Sequence, residues 1–406
     1  MKLRSCIKRY KKDTHRAVSP EETFSSIESK MTIAGITRVA DITNLDRIGI
    51  PVFSSIRPGA EKGAVSVYNG KGATPAEAKV SAMMEGIERY SAEVHDCEPV
   101  VSNYSSLKDE ANTLDPKDLI LPMESDPDAA IPWVEGYDLM NDEEIFVPAS
   151  AVFHPLPKEF HQLFRTNTNG LASGNELEEA IFHGLSEVIE RDAWSLVEAT
   201  RKTGPIVTET DDGLAGELLK KFSDAMVEVR LKDITSDVSV PTIAAASDDV
   251  KLKDPALLTI GMGTHTSAEV AVLRAMTEVA QSRLTQIHGA REDTTTADFR
   301  RGIGYERTKR LNKHWFQDSE SRPFSEIKSH DNDDFLDDIG YMLQRLEDAG
   351  MDRAIVVEMT REEVGVPVVR VIVPGMEVYA LDPERKGQRC KDEIKKNRRL
   401  SRSKSR

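Results

Sequence analysis

Cysteine is scarce in this chain of 406 residues: there are three, Cys6, Cys97 and Cys390, far apart and without CxxC spacing. That argues against a disulfide framework, a zinc site and an iron–sulfur cluster, and it suits a reducing compartment. No apolar run approaches the roughly 20 residues of a membrane helix, and the basic start, Met1 to Lys12, lacks the apolar stretch of a signal peptide. A cytoplasmic protein is expected. Positive charge is also in deficit. With 54 Lys and Arg against 69 Asp and Glu, the net charge of -15 disfavours general nucleic-acid binding by the body of the protein. The common nucleotide loops, GxxxxGK[ST] and GxGxxG, are missing as well.

What the chain has instead is a repeated acidic signature. Glu85, Glu88 and Arg89 recur as Glu187, Glu190 and Arg191, and more loosely as Glu278, Gln281 and Arg283. Residues three apart share one side of a helix, so each segment points two oxygen-bearing side chains the same way. Like charges so placed weaken an isolated helix, and hard divalent ions bound to a polyphosphate would offset that repulsion. The first two copies align without a gap, Glu77 with Glu179, Ala78 with Ala180 and Ile87 with Ile189 at the same offset, which makes chance an unattractive explanation. A duplicated packing module without chemistry is the bland alternative.

The residues ahead of each helix read as a strand, a glycine turn and a helix start. In the first copy, Ala64 to Tyr68 is strand-like and Asn69 to Gly72 the turn, while Thr74, Pro75 and Glu77 have the form of a capping box with proline at the first helical position. The second runs from Asn169 to Asn175, with Asn175 as the cap; the third follows Ala256 to Ile260 with Gly261 to His265. Glycine turns ahead of helix N-termini could hold phosphate groups. A di-iron or di-manganese carboxylate site needs ExxH on two helices, and none is present: His183 precedes Glu187 by four residues and Ser81 takes its place in the first copy. His183 reads as a core or supporting residue.

Taken in order, Asn69 to Thr74, Ser81 to Arg89, Asn169 to Asp192 and Gly261 to Arg283 resemble the motifs of the YcaO family, and the match spans about three quarters of the chain. The resemblance implies a YcaO-type mixed α/β fold with repeated strand, glycine-turn and helix modules around an ATP site. It implies an enzyme that uses ATP and magnesium to phosphorylate the oxygen of a peptide backbone amide, which a nucleophile then displaces. Magnesium ligands would be Glu85, Glu88, Glu187, Glu190 and Glu278. ATP contacts would be Arg16, Thr23, Lys71, Ser81, Asn175, Glu179, Arg191 and Arg274. Arg89 is equally placed to pair with Glu85 on its own helix, and the base at the amide is not identified, although His265 is available.

Residues 1–60 are expected to contribute to the nucleotide site, 61–385 to form the catalytic domain and 386–406 to be a basic, disordered tail. Arg291 to Arg301 and Gln317 to Asp334 read as long excursions, with a helix at Phe335 to Ala349 and strands at Ala354 to Glu358 and Val366 to Val373. Ring-forming relatives often end in a proline-rich segment, absent here. The stretches Gly35 to Pro51 and Val373 to Arg385 instead look like stand-alone archaeal members. Those imply sulfur insertion from sulfide or another donor, giving thioglycine in a protein substrate, the alpha subunit of methyl-coenzyme M reductase, with a TfuA-like partner; a homodimer is left open. Azoline formation on a ribosomal peptide, and a non-catalytic nucleotide-binding role beside a sulfur-transfer or methylthiolation enzyme, stay open as alternatives.

Overall fold

The computed structural model describes residues 1–95, 99–292 and 296–404; Cys97 lies outside them. It is a mixed α/β fold built on three principal sheets. Arg38–Asp41, Val52–Ile56 and Val67–Lys71 form the smallest. In the largest, Val100–Ser102, Ile131–Asp138, Ile355–Glu358, Val368–Ile372 and Leu171–Ser173 follow in that order, with Glu143–Pro148 paired to Ile131–Asp138. The third runs Thr259–Thr264, Thr242–Asp249, Val227–Asp233, Ile206–Thr208 and Ser321–Pro323. Each of the three repeated modules places its strand at the end of a different sheet: Val67–Lys71, Leu171–Ser173 and Thr259–Thr264.

Behind these strands come the helices Pro75–Ser91, Leu177–Thr200 and Ala268–His288. The first starts as its sequence requires: the Thr74 hydroxyl accepts from the Glu77 amide, the Glu77 carboxylate accepts from the Thr74 amide, and Pro75 occupies the first turn. Leu177–Thr200 buries Ile181, Leu185 and Val188 together with Val369 and Val371 of the large sheet and Met342 of the helix Phe335–Asp348. Ala268–His288 buries Ala271, Ala275 and Val279 with Ile243 and Ala245 of the neighbouring sheet. With one face of each helix held in the core, the polar side is left for the space between the modules.

The glycines do a different job from the one expected. Gly70 lies within the strand Val67–Lys71, and Gly261 and Gly263 lie within Thr259–Thr264, so the first and third modules carry these glycines inside strands and not in turns. A Cβ on Gly70 would sit 1.9 Å from the Ala82 nitrogen, on Gly261 2.3 Å from the Ala275 oxygen and on Gly263 2.1 Å from the Ala271 oxygen. These residues let each helix lie directly on its own strand. Gly170, at φ +77, does make a turn. Gly263→Ala must push two backbone segments apart and is expected to lower stability by about 3 kcal/mol, measured by urea unfolding.

Three further expectations are corrected. Ala256 belongs to the short helical turn Pro255–Leu257 ahead of the strand. The polar stretch after Arg291 contains the helix Thr296–Ile303, with the short strand Ser321–Pro323 further on. The basic end forms the helix Gln388–Lys404, whose Cys390 is completely buried. Composition gave the tail away as solvated; its first turn is in fact anchored. Among the described residues no helix is long and apolar enough to cross a membrane.

Behind the polar centre lies a buried histidine pair, His15 and His265, with ring centroids 4.7 Å apart, and Phe182 5.0 Å from His265. Burial, reinforced by the nearby Lys8 charge, pushes His15 down to about 4. The unfolded chain therefore binds the proton more tightly, and stability present above the ordinary histidine pKa of about 6.5 is lost as pH falls towards 4. His15→Phe should flatten that slope, removing up to about 3 kcal/mol of pH-dependent stability, as read from urea midpoints between pH 4 and 7.

Candidate functional site

The three modules and the N-terminal hairpin, Tyr10–Lys11 with His15–Arg16, enclose a cavity of about 710 Å³. All thirteen residues expected to bind ATP or magnesium line it: Arg16, Thr23, Lys71, Ser81, Glu85, Glu88, Asn175, Glu179, Glu187, Glu190, Arg191, Arg274 and Glu278. Arg89, His183 and Gln281 line it as well. The strand ends bring Lys71 and Ser173 into the wall, and the helix faces left outside the core bring the acidic residues.

Several of these side chains hold one another. Arg89 binds Glu85 at 2.6 Å on its own helix, and Lys71 pairs with Glu278. Arg191 stands 3.7 Å from Glu187. Arg16 contacts His183 and lies 3.6 Å from Glu179, whose carboxylate also accepts from the Ala17 amide at 3.0 Å. Thr23 donates to the Asn175 side-chain oxygen at 2.9 Å, and the Asn175 amide donates to Glu179 at 3.2 Å. Asn175 is thus occupied with the wall of the cavity, and the helix cap it was expected to provide falls to Glu176, which makes no side-chain capping bond. The Ser81 hydroxyl accepts from the Lys71 amide at 3.3 Å, while Gln281 donates to the Asn69 carbonyl.

The remaining charge is unbalanced. Burial, then the neighbouring Glu85, raises Glu88 well above the carboxylate range, although the Ser173 amide donates to it at 2.9 Å. Burial, then Glu278, pushes Glu190 up to about 7, and burial raises Glu187 against the pull of Arg191. Glu278 is held low despite its burial because Lys71 and Arg191 stand beside it. Two guanidinium groups are only partly engaged: the Nε atoms of Arg191 and Arg274 are buried without a hydrogen-bond partner. Arg191 lies over the Trp194 ring at 5.3 Å. Among the described residues no group of three or more acidic, histidine or cysteine side chains is gathered closely enough to hold a metal ion by itself. The five glutamates are therefore spread around the cavity and do not form a closed protein cage. Such an arrangement fits magnesium, which takes one or two carboxylates together with phosphate oxygens and water, and the partly free arginines fit phosphate.

Residues 69–377 match the family model described as YcaO cyclodehydratase, ATP- and Mg2+-binding. The chain belongs to the YcaO family. This YcaO protein is 53% identical over 386 residues to an uncharacterized protein of Methanothermobacter thermautotrophicus, covering 93% of this chain and 99% of that one. It is 32% identical over 375 residues to an uncharacterized protein in the tfuA 3′ region of Rhizobium leguminosarum bv. trifolii, covering 89% of each. Among solved structures, YcaO from Methanopyrus kandleri bound with AMPPCP and Mg2+ superposes with a TM-score of 0.80 at 30% identity, covering 94% of this chain and 98% of that one.

The YcaO cavity also holds residues that motif reading passed over. Asp13 and Glu77 line it, the Ala73 amide donates to Asp13 at 2.9 Å, and the Tyr10 hydroxyl donates to Glu77. Burial, then the facing Glu77 carboxyl, pushes Asp13 up to about 7, and its Oδ1 is buried without a hydrogen-bond partner. Glu77 was signalled by its equivalence to Glu179 in the repeat; Asp13 had no such signal. Just outside the wall, buried Arg370 is fixed by the Ala151 and Asn167 carbonyls at 2.9 and 2.7 Å, with its Nη1 unpartnered. His265 does not line the cavity: it is 1% exposed and its Nδ1 accepts from the Ser267 amide at 2.9 Å.

Proposed function

We propose that this YcaO protein activates a peptide backbone amide with ATP and replaces its oxygen by sulfur, producing a thioamide in a protein substrate. The observation that carries the reading is the cavity itself, where glutamates from three helices meet two arginines with partly unengaged guanidinium groups. Glu85, Glu88, Glu187, Glu190 and Glu278 would hold magnesium, while Arg16, Thr23, Lys71, Ser81, Asn175, Glu179, Arg191 and Arg274 would surround ATP. When bound, ATP supplies the phosphoryl group taken up by the amide oxygen with loss of ADP, and magnesium offsets the phosphate charge. The departing phosphate carries that oxygen away as sulfide takes its place at the carbonyl carbon.

The protein's own contribution is placement and charge. Arg191 and Arg274 can each offer a planar fork to phosphoryl oxygens, and their fixed positions spare the reorganisation that water would require. The Asp13–Glu77 pair and Arg16 keep the N-terminal hairpin against the cavity.

The finer choice of sulfur over ring closure is supported by similarity to archaeal relatives and to a protein whose description places it beside tfuA. On that basis the proposed target is a glycine of the methyl-coenzyme M reductase alpha subunit, with sulfide or another sulfur donor as co-substrate and a TfuA-like protein as partner. Tandem mass spectrometry of that subunit from cells with and without this protein tests the reading. Loss of one oxygen and gain of one sulfur at a glycine, only when the protein is present, is expected. A peptide lighter by one water, with a ring at cysteine or serine, would establish azoline formation instead; no ATP turnover with any candidate substrate would favour the accessory role.

A further inference from the structure

The helix Leu177–Thr200 faces the cavity with Glu187, Glu190 and Arg191, and the very next residue is held from behind by the end of the chain. Asp192 is completely buried, and its two oxygens accept from Arg389 Nε and Nη2, both at 2.8 Å. Asp192 also accepts from the Glu377 amide at 3.0 Å, while Arg389 reaches on to Asp237 at 2.6 Å. One helical turn later, Ser195 accepts from the Ala380 amide at 3.0 Å. The buried Glu377 carboxylate accepts from the Gly387 and Cys390 amides, both at 2.8 Å, fixing the start of the helix Gln388–Lys404. A forked, desolvated contact of this kind sets orientation as well as attraction.

Resting on the activity proposed above, we infer that Arg389 is a positioning residue: by gripping Asp192 it fixes the rotation of the Leu177–Thr200 helix, and with it the aim of Glu190 and Arg191. The test uses the full chain with Arg389→Ala, Arg389→Lys and the double variant Arg389→Ala with Asp192→Asn, measuring melting temperature and the kcat and KM for ATP in the substrate-dependent reaction. Arg389→Ala leaves a buried carboxylate unpaired, so both stability and turnover should fall, turnover by at least tenfold. The double variant removes the stranded charge and should regain most of the melting temperature while turnover stays low, and Arg389→Lys, with a single contact in place of the fork, should fall between. Recovery of turnover together with stability in the double variant would overturn the inference and reduce the contact to a structural one. Unchanged turnover in Arg389→Ala would overturn it as well. If the wild-type chain itself shows no ATP turnover, it is the proposed activity that fails, since Arg389 is judged only against an active parent.

Discussion

Glu187→Gln and Glu85→Gln should each weaken magnesium-dependent ATP binding by roughly 10- to 100-fold, the loss expected when one charge-assisted ligand becomes neutral. The fold should survive. Burial raises Glu187 above its ordinary range in the ligand-free protein, so its charge opposes folding there, and a neutral glutamine of the same shape relieves the strain. Glu85 is already matched by Arg89, and its replacement frees that arginine without stranding it away from Glu88 and Glu187. Calorimetric titration of ATP with and without magnesium, beside a melting curve for each variant, gives the answer. Wild-type affinity in both folded variants would contradict the assignment of these carboxylates to the metal.

Arg191→Lys separates binding from chemistry. Lysine keeps the charge but not the planar fork, so a substitution that costs little in nucleotide affinity should lower kcat by roughly 100-fold if the fork grips the transferring phosphoryl group. Arg191 is suited to this because its bond to Glu187 is long at 3.7 Å, its Nε has no partner, and Trp194 backs its plane. Steady-state kinetics and ATP titration on the same variant check it. Equal losses in kcat/KM and in affinity, with kcat unchanged, would place Arg191 in ground-state binding alone.

Local chemistry explains what could be read in the sequence. The capping box at Thr74, Pro75 and Glu77 needs only four neighbouring residues, and it appears as written. The spacing of Glu85 with Glu88 and Glu187 with Glu190 likewise depends on helical geometry alone, and all four side chains face one cavity. Gly261 and Gly263 were misread because glycine usually punctuates; what demands it here is a helix lying against the strand, a contact with Ala275 and Ala271 that no local pattern announces. Asp13 and Arg370 come to the cavity or its edge through contacts distant in sequence, with Ala73, Glu77, Ala151 and Asn167. The end of the chain misled through composition: many lysines and arginines suggested a solvated tail, whereas Cys390 is buried and Arg389 is spent on Asp192.

The most direct test of backbone activation follows the amide oxygen itself. A substrate peptide carrying oxygen-18 at the target glycine carbonyl is incubated with the protein, ATP, magnesium and sulfide, and the inorganic phosphate and the peptide are both weighed by mass spectrometry. The account expects one labelled oxygen in the phosphate for each sulfur gained by the peptide. Phosphate without the label, formed while the peptide keeps its oxygen, would mean that ATP is hydrolysed by water and that the backbone amide is never phosphorylated.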